Sequence, residues 1–116
     1  MNLEINALQS PAGTAVVSFP VSNLDAGNVK EFRTAIAAAA GQHDTLVLDM
    51  SRLTFVDSSG LGALLSCLRT MKAKNGQLLL VGMTRPVRAL FELVRMHRIF
   101  AIFNTMDEAL DEAKAA

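Results

Sequence analysis

Two apolar runs constrain this chain more than any other feature. Thr45–Met50 and Leu78–Val81 are almost unbroken stretches of Leu, Val and Met. A strand with one face in water alternates apolar and polar residues, whereas a strand covered on both faces is apolar throughout. The two runs are therefore expected to be central strands of a parallel sheet with helices on both faces. Between them, Leu61, Leu64, Leu65, Leu68 and Met71 recur at helical spacing, the stripe of a helix packed on that sheet.

The remaining elements arrange themselves around this centre. Leu3, Ile5 and Ala7 alternate with Glu4 and Asn6, which predicts a half-exposed strand. Ser10-Pro11-Ala12-Gly13 is a turn, and Thr14–Phe19 a second strand hairpinned to the first. Pro20–Leu24 is expected to be a loop, with Asp25 capping a first helix that carries Val29, Phe32, Ile36 and Ala40 on one face. Gly41 is expected to end that helix in a left-handed conformation, and Asn75-Gly76 to close the second helix. A third helix begins near Thr84, with Pro86 in its first turn and Val87, Leu90, Phe91 and Val94 facing inward. Phe100–Phe103 is a last edge strand, and Thr105-x-x-Glu108 is a capping box opening a C-terminal helix. The predicted order is ββαβαβαβα, an α/β domain with a mixed, mostly parallel sheet, an N-terminal hairpin and about four helices. At 116 residues, with no repeat or linker, the chain is expected to be a single domain spanning 1–116.

Composition narrows the function classes. Eleven basic and 11 acidic residues leave a formal net charge of zero, which argues against a general nucleic-acid binder. Phe is the only aromatic type, and no aromatic cluster interleaves with Lys and Arg. The lone Cys67 and the lack of a secretory or membrane-spanning pattern point to a cytoplasmic protein without membrane insertion. His43 and His97 sit in no metal-ligand motif, and Gly60-x-Gly62 lacks the rest of a nucleotide fingerprint. No nucleophile–base pair stands out, so neither an enzyme nor a cofactor is expected. Seven of the 11 basic residues fall between Arg69 and Arg98, ahead of the acidic cluster Asp107, Glu108, Asp111 and Glu112. A set of solvated helix faces accounts for this better than a basic docking face does.

The segment carrying most information is Leu53-Thr54-Phe55-Val56-Asp57-Ser58-Ser59-Gly60-Leu61-Gly62. Here a buried strand gives way to a short loop and then to an apolar helix that starts at small residues. Asp57, Ser58 and Ser59 all suit an N-cap. Gly60 and Gly62 leave little bulk in the first turn, so another molecule is expected to approach closely there. A helix N-terminus offers unpaired N–H groups and a partial positive charge. A phosphate on Ser58 would therefore spare the helix while adding about −1.5 to −2 charges to the surface. A partner bound there would have to desolvate that charge next to Asp57.

This stretch resembles the signature of the STAS domains, the bacterial anti-sigma factor antagonists. Leu24-Asp25-Ala26 before the first helix, Asn75-Gly76-Gln77-Leu78 before a strand and Pro86-Val87-Arg88-Ala89-Leu90-Phe91 in the third helix extend the resemblance. Where the family often has Gly-Glu or Gly-Arg before its Leu-Asp pair, this chain has Ser22-Asn23. The resemblance implies phosphorylation of the first serine after the aspartate, Ser58. It implies a partner that is both serine kinase and anti-sigma factor, and a metal-dependent serine phosphatase that restores the hydroxyl. The partner-binding residues it points to are Asp25, Asp57, Ser58, Ser59, Gly60 and Gly62. The alternative is a constitutive STAS interaction subunit of a larger, for example transporter-associated, assembly.

Overall fold

The computed structural model describes residues 1–115; Ala116, the last residue of the expected domain, lies outside the described residues. The central sheet has the order β1-β2-β4-β6-β7, formed by β1 (Glu4–Ala7), β2 (Thr14–Ser18), β4 (Thr45–Asp49), β6 (Gln77–Val81) and β7 (Ala101–Phe103). Only the β1–β2 pair is antiparallel; β2, β4, β6 and β7 run parallel. The helices are α1 (Val29–Gln42), α2 (Ser58–Ala73), α3 (Arg85–Leu93) and α4 (Met106–Ala115), with a 3-10 turn at Met96–Arg98. A mixed sheet with an N-terminal hairpin and four helices is the architecture expected from the sequence.

The unbroken apolar runs have the predicted cause. Leu46, Leu48, Leu78 and Leu80 face a core completed by α1, α2 and α3. Their strand neighbours Val47, Leu79 and Val81 face the opposite layer, where Ala109 and Ala113 of α4 cover them. Both faces of the two strands are dry, so neither face calls for polar residues.

Several local expectations are corrected. All four residues of the edge strand β1 are exposed, and the apolar residues of the segment that pack on the core, Met1 and Leu3, precede it. Gly41 does not terminate α1, which runs through Gln42 to an extended cap at His43. The end of α1 is satisfied instead by Lys74, whose ammonium donates to the carbonyls of Ala40 and His43 at 2.5 and 3.0 Å. Val94 is 45% exposed, since α3 stops at Leu93 and the chain turns away. By contrast, α2 closes at Asn75-Gly76 as expected. Asn75 takes a φ of 60°, and the N–H groups of Asn75 and Gly76 return to the carbonyls of Lys72 and Met71.

The largest difference lies in the segment expected to be a loop. Two strands of two residues each, β3 (Asn23–Leu24) and β5 (Phe55–Val56), form a separate small parallel ladder. Their shortness hides them from any periodicity argument. They tie the approach to α1 to the approach to α2 at the carboxyl ends of the main strands.

Candidate functional site

The site is assembled where β5 turns into α2. Asp57 is the N-cap, with extended backbone, and one carboxylate oxygen accepts from the Gly60 N–H at 2.9 Å. Its backbone carbonyl accepts the first helical bond, from Leu61 N–H. The other carboxylate oxygen accepts from the Ala26 N–H at 3.0 Å, across 31 residues of sequence. One side chain thus caps a helix and pins a second loop beside it. These N–H groups, Gly60 foremost and then Ala26 and Ser59, hold the Asp57 carboxyl below its ordinary value against the opposing effect of desolvation.

Ser58 is the first helical residue and is exposed. Ser59 follows it, half-buried. The hydroxyl of Ser58 therefore stands at the positive end of α2, next to the anionic cap.

Asp25 belongs to the pinned loop but does not cap α1, whose N-cap is Asn28. Its carboxylate accepts from Gly27 N–H at 2.9 Å and from the Asn23 side-chain amide at 2.8 Å. Its carbonyl accepts from the N–H groups of Asn28 and Val29. Asn28 in turn accepts from Asp25 N–H and donates to the Asn23 carbonyl. Asp25 shapes the turn that presents Ala26 to Asp57, one turn earlier in the chain than a cap would sit.

Gly60 and Gly62 part company. Gly60 is buried, and a Cβ there would lie 2.5 Å from the Leu24 carbonyl oxygen and 2.8 Å from a Val56 methyl. Its missing side chain lets α2 sit on the β3–β5 ladder; it is not an opening for a partner, as the sequence had suggested. Gly62 lies two residues on, half-buried, and a Cβ there would meet nothing nearer than Arg33 Nη2 at 3.8 Å.

Sequence reasoning did not single out Phe55, a β5 side chain that is 55% exposed three residues before Ser58. A phenylalanine between Leu53 and Val56, both buried, carries no signal of exposure. The backbone N–H groups of Thr54 and of Phe55 itself both donate to the Ser22 carbonyl, so the ring sits on fixed backbone. Among the described residues, no group of three or more His, Cys, Asp and Glu could hold a metal. Cys67 is buried, which pushes its thiol up to about 11. The Lys and Arg residues between Arg69 and Arg98 are spread over α2, α3, the 3-10 turn and the residues that cap them. No described helix is long and apolar enough to cross a membrane.

Residues 7–109 match the family model described as STAS domain. The chain belongs to the STAS domain family. One relative, the anti-sigma F factor antagonist of Paenibacillus polymyxa, is 31% identical over 71 residues, covering 61% of this chain and 61% of that protein. The Bacillus cell fate determinant SpoIIAA in its phosphorylated form superimposes with a TM-score of 0.71 at 25% identity, covering 97% of this chain and 99% of SpoIIAA. The unphosphorylated SpoIIAA gives 0.74 at 24% identity, covering 99% and 100%. A sulfate transporter family protein from Wolinella succinogenes shares the fold, with a TM-score of 0.78 at 18% identity and 94% of each chain covered.

Proposed function

We propose that this STAS domain is an anti-sigma factor antagonist in a partner-switching pathway, with Ser58 as its phosphorylation site. The observation that carries this reading is the exposed Ser58 hydroxyl at the N-terminus of α2, beside a carboxylate that bridges two loops. The unphosphorylated form binds a serine kinase that also serves as the anti-sigma factor, and so releases the sigma factor. Phosphorylation adds a dianion next to Asp57. A partner surface built to cover a neutral hydroxyl then faces like-charge repulsion and a desolvation cost. The helix itself tolerates the phosphate, because an anion at its N-terminus is favourable. A metal-dependent serine phosphatase would reverse the switch. The domain acts by binding rather than by chemistry of its own, with Asp57, Ser58, Ser59 and the Asp25 turn at the contact and Phe55 as an apolar anchor.

Native-host extract passed over immobilised Ser58→Ala and Ser58→Asp proteins tests this. A serine kinase is expected on Ser58→Ala and at least about tenfold less of it on Ser58→Asp, with unchanged circular dichroism for both. Equal capture by the two variants would sink the switch. The likeness in fold to the sulfate transporter family protein favours a second reading, a constitutive interaction subunit. Capture of the same transporter components by both variants would select it.

A further inference from the structure

A second site lies along the outer faces of α1 and α2, where an apolar trench of about 480 Å³ runs between them. That volume falls within the roughly 300–1,000 Å³ typical of small-molecule pockets. Its walls are held apart by small side chains: Ala37 and Ala40 on α1, Ala63 on α2. Larger residues at those positions would fill the space between the helices.

A cation stands at each end, and the two differ. The ammonium of Lys74 is occupied by the Ala40 and His43 carbonyls. The guanidinium of Arg33 donates through Nη1 to the Ser66 hydroxyl at 3.1 Å. Among the described residues it has no carboxylate within ion-pair distance. Most of its five N–H donors are left for a planar anion. From Arg33 to Gly41 the trench follows α1 for about 12 Å at 1.5 Å per residue. Its mean cross-section is then about 40 Å². A helix about 10 Å across could rest on its rims but would not fill it. An extended peptide would find few partners for its backbone, since both walls are helices whose own backbone groups are already paired. A single alkyl chain needs neither.

We propose that the trench binds an amphipathic monocarboxylate, a medium-chain fatty acid, with its alkyl chain along Ala37, Ala40 and Ala63 and its carboxylate on Arg33 beside Ser66. The carboxylate end lies on the second turn of α2 after Ser58. The site is independent of the switch proposed above, because none of its contacts uses Asp57 or Ser58.

The whole chain, with labelled Ala, Leu and Val methyl groups, is titrated with octanoate and decanoate below their micelle concentrations, in parallel with calorimetry. Saturable binding is expected, with shifts centred on Ala37, Ala40 and Ala63. Decanoate should bind roughly tenfold tighter than octanoate, as two further buried methylenes dictate. Methyl decanoate and decyltrimethylammonium should bind at least about tenfold more weakly than decanoate. Arg33 and Ala37 are exposed, so substitutions there should leave the fold intact. Arg33→Gln should weaken decanoate by about tenfold and leave methyl decanoate unchanged; Ala37→Leu should abolish binding of both. No binding, equal affinity for acid, ester and cation, indifference to Arg33→Gln, or shifts confined to the exposed Leu93 and Val94 would each overturn the proposal.

Discussion

The N-termini of α2 and α4 solve the same problem in different ways. At α4, Thr105 and Glu108 satisfy each other's backbone N–H groups at 3.2 and 3.0 Å, and both residues lie in the same turn. At α2, Asp57 spends one oxygen on Gly60 of its own helix and the other on Ala26, in the loop before α1. The first cap is a local device that any helix could carry. The second joins two segments far apart in sequence and places the exposed Ser58 where they meet. A cap that stabilises only its own helix is structural, whereas one that also organises a neighbouring loop can hold a composite surface in shape.

This contrast can be broken experimentally, and the largest effect is expected beneath the bridged cap. Gly60→Ala places a methyl against the Leu24 carbonyl and Val56, and should cost about 1–3 kcal/mol in denaturant unfolding. If it proves neutral, the close fit of α2 on the β3–β5 ladder is not required. Asp57→Ala should lower the melting temperature by roughly 5 °C. It should also speed hydrogen exchange at Ala26 and weaken binding of the proposed kinase partner. An effect confined to α2 would show that the bridge to Ala26 contributes nothing.

Thr105→Ala should cost about 1 kcal/mol with no change in exchange at Ala26 or in partner binding. Any loss of partner binding would erase the distinction between the two caps. Gly62→Ala, with room for its methyl, should be neutral or stabilising by up to about 1 kcal/mol. Acid unfolding provides the finest test. The folded Asp57 carboxyl titrates below its ordinary value of 3.8. Its contribution is therefore complete above that value and lost as pH falls through the folded pKa. Asp57→Asn should therefore lower stability at neutral pH and flatten the acid limb, with the two proteins converging as pH falls through the folded pKa. An unaltered acid limb would mean that the carboxylate is not held by these N–H groups.

How legible each feature was follows the same division between local and distant. The Thr105 box, the Asn75 closure of α2 and the buried central strands rest on residues within a few positions of one another, and periodicity or turn chemistry exposes them. Ser58 could be singled out because a cap, small residues and an apolar helix adjoin in sequence. The misreadings share one cause. Asp25 is drawn into a turn by Asn23 and Asn28. Gly41 stays helical because Lys74 reaches the end of α1 from another helix. Gly60 answers to Leu24. Phe55 is exposed although its residue type belongs to cores.

The sequence by itself determined the layered α/β architecture, since two strands apolar on both faces demand helices on both sides. It also determined which helix begins with a hydroxyl beside a carboxylate. Only the tertiary structure decided what that carboxylate holds. The Ala26 N–H is 31 residues away, and β3 and β5 are too short to leave a pattern. The trench between α1 and α2 likewise exists only once the two helices pack, because the small residues that line it are unremarkable on either helix alone. A hydrogen bond or a cavity between distant segments depends on the path of the backbone, and local side-chain chemistry carries no record of that path.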